Sequence, residues 1–298
     1  MIKAVVLERR HGSVLLKQAA LAGTPAGVLT SGALTDGISI ARSIKALCID
    51  YEIAAKRFAL AVGGEKVICQ SDRAPAGAAQ DLEGFVRDEA AKQLAYPLSA
   101  ACIGWQPVEV MIDGAVLWTS TPVEQVDWVR ETVSLAGRTA VFVTPQACAL
   151  ANAYSFNSAP TSQETVLLVN IGARCLTLAL MRGWAIAYAR DMVVTRERLD
   201  AQEPLTQRVL KAVESQMSQL EKRALPHKIQ KMRLSGGSAR IPELQEALTQ
   251  RLGCPAEAVD PFHKVSYSPS SASGRLIQEH GPSLAIAAGL ALSALEES

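Results

Sequence analysis

Two apolar runs open the chain, KAVVLE (3–8) and SVLLKQAAL (13–21), separated by Arg-Arg-His-Gly. Runs of this length read as strands, and Gly12 supplies a turn, so a hairpin is predicted. The period then changes. Ile40, Ile44, Leu47 and Cys48 recur at helical intervals over 38–48, which predicts an amphipathic helix. RFALAVG (57–63) is a short buried strand that stops at Gly63-Gly64. A separate α+β module is expected over about 67–137. Its first helix, 81–94, puts Leu82, Phe85, Val86, Ala90 and Leu94 on one face. A hairpin over 108–119 turns at Asp113-Gly114, and a second helix starts at Thr121-Pro122 and stops at Gly137. Asp-Gly suits a type I′ turn, and Thr121 with Glu124 reads as a capping box.

TAVFVTP (139–145) returns to a buried strand and is followed by a helix, QACALANAY. After the small, polar segment 155–164 the strand pattern restarts at 165–170, 174–181 and 184–190, with turns near Gly172 and Arg182-Gly183. Hairpin spacing of this kind predicts a meander. Val209, Leu210, Val213, Met217 and Leu220 mark an amphipathic helix over roughly 204–224. A strand at 232–235 leads into a Gly-rich turn and a helix, and a buried helix over 284–295 closes the chain. Each half thus begins with strands on short turns and continues with helices and a further strand. The pattern predicts a mixed α/β protein of two domains, 1–155 and 156–298.

Composition narrows the function classes. Lys+Arg is 30 against Asp+Glu 29, a net charge of +1, so no global field attracts nucleic acid. The N-terminus becomes charged after seven residues and lacks the form of a secretion signal. LAIAAGLALSAL (284–295) is too short to span a bilayer, so no membrane span is expected. Six scattered cysteines without a CxxC pair read as reduced core thiols of a cytoplasmic protein, and four histidines without ligand spacing predict no metal site. Mean hydropathy is slightly positive, which fits a surface covered by a partner. The basic stretch 221–233 reads as an exposed helix end and loop.

Two stretches carry candidate chemistry. In LSGGSARIPELQEAL (234–248) a buried strand runs into Gly236-Gly237, where backbone approaches a neighbour with no Cβ between, and Ser238 and Arg240 lead to a helix with Pro242 in its first turn. Helix N-termini offer free N–H groups to anions. In VLLVNIGARCLTLAL (166–180) a hairpin tip reads Asn170-Ile171-Gly172-Ala173-Arg174.

Together with ALANAYSFN, AYARDM, VDPFHKV and AIAAGLAL, these stretches resemble the PilM family of type IV pilus assembly proteins, in the FtsA-like branch of the actin-like ATPases. SGALTDG, VRDEAAKQLAYPL and VSLAG extend the resemblance through the first half. It implies a duplicated actin-like (RNase H-like) fold. The 67–137 module would be inserted in the first domain, and the last helix would return to that domain. It also implies a nucleotide site, with Gly236, Gly237, Ser238 and Arg240 near adenosine and Asn170, Gly172, Ala173 and Arg174 near phosphate.

The sequence departs from that pattern. Asn170 stands where the family often has an acid that helps position Mg²⁺, and an amide adds no charge to balance a cation. The segment 193–207 is short where the family has a longer helical insertion. The family's first strand and its Asp-Ile-Gly-Ser phosphate loop are expected before Met1, outside this chain. ATP and Mg²⁺ are therefore expected to bind weakly, if at all, without turnover. The implied role is a cytoplasmic scaffold beside the inner membrane. It would bind the cytoplasmic N-terminal peptide of a PilN-like protein and contact pilus motor ATPases. An active ATPase of the same family and a sugar-kinase-like enzyme are the alternatives.

Overall fold

The structure, a computed structural model, describes residues 1–25, 29–30, 33–34, 36–75, 81–108, 114–173, 175–193, 203–222 and 228–296. The chain opens with β1 (Ile2–Arg10), β2 (Ser13–Ala22), β3 (Leu29–Thr30), β4 (Ala33–Leu34), α1 (Gly37–Asp50) and β5 (Arg57–Val62). It continues with β6 (Ile68–Arg73), α2 (Leu82–Gln93), β7 (Ala101–Val108), β8 (Ala115–Pro122), α3 (Val123–Leu135), β9 (Thr139–Pro145) and α4 (Gln146–Ser158). Then come β10 (Thr165–Ile171), β11 (Cys175–Arg182), β12 (Ala185–Val193), α5 (Leu205–Lys222), β13 (Lys231–Gly236), α6 (Pro242–Leu252) and β14 (Ala256–Ala258). β15 (Val265–Ser266), α7 (Ala272–His280) and α8 (Ala285–Glu296) close it. Among the described residues, no helix is long and apolar enough to cross a membrane.

Contacts group these elements into two compact units. One holds Met1–Val62, Val123–Ser158 and Asp260–Ser298, and the other holds Gly63–Pro122 and Ala159–Val259. The sequence pattern divides the chain at 155/156 and counts 67–137 with the first half. Sheet pairing sets the units here. β6 bonds antiparallel to β12, so the strands of the 63–122 segment extend the sheet that contains β10 to β14.

In the first unit β1 and β2 form the predicted hairpin. Arg10 pairs with Ser13, leaving His11 and Gly12 as the turn, with φ of 48° and 81°. Two successive positive φ angles define the type I′ turn, whose twist matches the flanking strands. The α1 helix starts where Asp36 accepts the Ser39 N–H at 2.9 Å and packs Leu47 and Cys48 over Ile2, Ala4 and Val6. β5 and β9 pair in parallel. The last helix, α8, packs on α4 and β1, and Asn152 Nδ2 donates to Ser293 Oγ at 2.7 Å.

In the second unit the sheet order is β14-β13-β10-β11-β12-β6-β8-β7. Every residue of β10 is buried, as a central strand with a packed helical layer requires. Leu167, Val169 and Ile171 face Val209 and Val213 of α5 and Leu244 and Leu248 of α6. Two details differ from the sequence reading. β8 is paired with β7, Val108 opposite Ala115, and residues 109–113, including Asp113, lie outside the described residues. β7 escaped the pattern because it is the sheet's edge, where exposed positions and Pro107 are tolerated. Thr121, read as a helix cap, is instead paired with Cys102 near the end of β8. Edge position also makes Cys102 exposed rather than a core thiol.

The α4–α8 contact sets one prediction. A Cβ on Gly289 would fall well inside 3.0 Å of the Ala149 carbonyl oxygen, so glycine lets the two helices touch. Gly289→Ala is expected to cost about 1–3 kcal/mol, read as a lowered midpoint in urea denaturation.

Candidate functional site

The parallel pairing of β10 and β13 brings the two candidate stretches together. Asn170 lies opposite Ser235 and Ile171 opposite Gly236. Ser235 Oγ donates to Asn170 Oδ1 at 3.2 Å. Both segments leave the sheet at the carboxyl ends of parallel strands, where open α/β sheets place ligands.

The glycines differ in their reasons. Gly236 has φ of +90°, and a Cβ there would collide with the backbone of Ile171. Its glycine is demanded by the fold. Gly172 donates its N–H to the Cys175 carbonyl at 3.0 Å, and a Cβ there would sit 2.8 Å from the same oxygen. That N–H closes the hairpin, so it is engaged inside the protein. Gly237 is exposed, and a Cβ there would meet nothing within 4 Å; packing does not explain it.

Beyond Gly237, Ser238 is half-buried and Arg240 exposed. Two successive turns carry the chain into α6: Ala239 N–H donates to Gly236 O at 3.3 Å, and Ile241 N–H to Ser238 O at 3.2 Å. Gln245 Nε2 holds the Ala239 carbonyl at 2.7 Å. Ala173 is exposed at the hairpin tip, and Arg174 lies outside the described residues.

Cross-strand register reveals a larger arrangement. Asn170 faces Thr177 on β11, and Thr177 faces Asp191 on β12. Directly paired residues share a sheet face, so Ser235, Asn170, Thr177 and Asp191 form one polar row across four strands. All four are buried. The row ends at Asp191, whose Oδ2 accepts the Gly64 N–H at 2.7 Å and whose carboxylate also takes a hydrogen bond from the Thr177 hydroxyl.

Burial raises the Asp191 pKa, and the bonds from Thr177 and Gly64 oppose the rise. Burial, with Asp191 close by, pushes the Cys175 thiol up strongly. Burial thus disfavours the thiolate, the form of Cys175 that would act as a nucleophile or metal ligand. Among the described residues, no group of three His, Cys, Asp or Glu side chains could hold a metal ion. The row is a hydrogen-bonding strip whose single ionisable end is already occupied.

Sequence reasoning missed Thr177 and Asp191. Their signal was a polar residue inside an apolar strand, at positions whose register only the pairing fixes. Arg190 is the neighbour of Asp191 in sequence, an apparent partner for its carboxylate. Its Nε instead donates to Tyr188 Oη at 3.1 Å, with the guanidinium 5.7 Å from that ring's centre, because neighbours on a strand point to opposite faces. An apolar cavity of about 10 Å³ beneath the sheet, lined by Leu167, Tyr188, Val213 and Gln216 among others, has room for one water at most.

The sequence model of the family described as "Type IV pilus assembly protein PilM" matches residues 1–202 and 195–295. Among solved structures, the chain is similar to one titled "PilM-PilN type IV pilus biogenesis complex". Identity is 21%, 98% of this chain and 94% of that chain are covered, and the TM-score is 0.80. A Bacteroides thetaiotaomicron protein with an actin-like ATPase fold matches at 8% identity over 87% of this chain and 91% of its own, with a TM-score of 0.49. The ethanolamine utilization protein EutJ from Carboxydothermus hydrogenoformans matches at 14% identity over 98% and 90%, with a TM-score of 0.48. The expected mixed α/β architecture is the one observed, and its fold is that of the chain solved in the PilM-PilN complex.

Two predictions follow from the site's geometry. Gly236→Ala is expected to lower stability markedly, read from the thermal midpoint, whereas Gly237→Ala leaves stability within about 0.5 kcal/mol of the parent, so only the second is a clean probe of ligand binding. The folded Asp191 pKa is raised, so the cost of its buried charge is absent at low pH and grows as pH rises through the folded value. Urea melts of Asp191→Asn and the parent are expected to shift in the variant's favour between about pH 4 and pH 8.

Proposed function

This chain belongs to the type IV pilus assembly PilM family, and on that premise we propose that it works as a docking body without ATP turnover. In this reading it is a cytoplasmic scaffold held at the inner membrane. It binds a short cytoplasmic peptide of a PilN-like protein and links pilus motor ATPases to the envelope parts of a pilus or related secretion machine. The likeness to a chain solved as part of a PilM-PilN complex supports the choice of partner.

The observation that carries the docking role over turnover is the state of Asn170. A cation beside a triphosphate is best balanced by carboxylate oxygen. Here the position holds an uncharged amide whose oxygen accepts the Ser235 hydroxyl inside a buried row. The Gly172 N–H, a donor that a phosphate loop would spend on ligand, closes the hairpin. The protein is then a pseudo-ATPase whose lobes persist for binding. One observation favours the rival reading, nucleotide binding in a working ATPase: the open flank of Gly237, which packing does not require.

The direct test uses the PilN-like inner-membrane protein of the same organism. Its synthetic cytoplasmic N-terminal peptide, titrated calorimetrically into the full chain, is expected to bind one-to-one in the micromolar range, about −8 kcal/mol. A scrambled peptide is expected to give no heat. Failure of the native peptide to bind would remove the scaffold reading.

A further inference from the structure

Sheet order sets what meets at one end of the second unit. β11 runs antiparallel to β10 and β12, so it ends where β10, β12 and β13 begin. β6, antiparallel to β12, ends there too. This end lies opposite the one that carries Asn170 and Gly236. Across it, in the spatial order β13-β10-β11-β12-β6, stand Lys231, Glu164, Arg182, Trp184 and Arg73, with Lys228 just before β13. Neighbouring strands lie about 4.8 Å apart, so the row is about 20 Å long.

Trp184 is the unusual member. Arg182 pairs with Ala185, leaving Gly183 and Trp184 as the turn. Gly183 supplies the positive φ, 56°, and its N–H is tied to the Glu164 carbonyl at 2.7 Å. Asn, Asp or Ser would serve the turn's second position, yet it holds a tryptophan that is 56% exposed. Around that ring four cations face one acid. Lys231 pairs with Glu164, Arg73 and Lys228 are exposed, and Arg182 is half-buried. Two nearby acids are engaged elsewhere. Glu257 pairs with Arg233, and Asp72 accepts from Gln70 at 2.6 Å and from the Trp118 indole N–H at 2.7 Å. The whole chain is balanced to +1, so this end is locally positive. Lys228 and Lys231 belong to the basic stretch 221–233, of which 223–227 lie outside the described residues.

We propose that this end of the second unit docks directly on an anionic phospholipid bilayer, with Trp184 at the headgroup level and Arg73, Arg182, Lys228 and Lys231 against lipid phosphates. Tryptophan favours the membrane interface, where its ring meets apolar matter and its N–H stays wet. Lysine and arginine stems lie along the same boundary with their charged heads in water. Basic side chains close to the surface are drawn to anionic lipid, and the attraction falls off within a Debye length. The groups sit on turns and strand ends, neither in a groove nor along a free strand edge. A flat surface matches that arrangement better than an extended peptide does. The chain itself makes this contact, which goes beyond the peptide docking proposed above. The test contains no peptide, so either proposal can fail alone.

Co-sedimentation of the full chain with vesicles tests it, one set of phosphatidylglycerol mixed with phosphatidylcholine and one of phosphatidylcholine alone. Binding is expected to the first set only, and is expected to weaken as salt is added. Lys228→Ser and Arg73→Ser are each expected to weaken it roughly fivefold, and Trp184→Ser roughly tenfold. Arg9→Ser, which removes an exposed charge in the first unit, is expected to change nothing. Brominated acyl chains are expected to quench tryptophan emission in the parent, and much less in Trp184→Phe, which still binds. No binding to the anionic set, equal binding to both sets, or binding indifferent to Trp184→Ser would overturn the proposal. So would a loss in Arg9→Ser as large as in Lys228→Ser. Binding of soluble polyglutamate as tight as that of anionic vesicles would overturn it too, making the partner an acidic polypeptide.

Discussion

Backbone touches backbone where Gly236 meets Ile171. A β-carbon at Gly236 would collide with the Ile171 peptide, and its φ of +90° is one that L side chains rarely adopt. That contact lets the loop after β13 fold onto the end of β10, and it fixes the register that puts Ser235 beside Asn170. From there the row runs through Thr177 to Asp191 and ends on the Gly64 amide. Shifting β10 by one residue would turn these polar groups to the opposite face and strip each of its partner.

A row of this kind costs stability unless every member is satisfied. Two of its bonds carry that burden: the Ser235 hydroxyl to the Asn170 amide oxygen, and the Gly64 N–H to the Asp191 carboxylate. The same satisfaction limits its chemistry. A carboxylate that already accepts from a backbone amide and a threonine has little left for a cation, and burial disfavours its charge. In the proposed reading a former phosphate-holding edge is closed in on itself, and the molecule works through its surfaces.

Much of this was legible beforehand. The hairpin β1–β2, helix α1 and the β10 to β12 meander follow from local period and turn chemistry, which act within a few residues. Asn170 and Gly236 stood out because each breaks an apolar run in a recognisable setting. What stayed hidden depends on pairing across the chain. Asp191 is unremarkable until β12 lies beside β11. β7 has the exposed, proline-bearing character of an edge and reads as loop. The grouping of 63–122 with the second unit rests on the short β6–β12 ladder, and its strand sequences do not name their partner. The contrast between Gly236 and Gly237, adjacent and alike in sequence, needs coordinates: one glycine serves the fold, and the other faces open space.

Titration of the full chain with ATP, with and without Mg²⁺, tests the proposed loss of the cation site most directly. Binding that is weak or undetectable, and that Mg²⁺ does not strengthen, is expected from an uncharged, internally bonded Asn170. Sub-micromolar binding that depends on Mg²⁺ and is followed by phosphate release would contradict it.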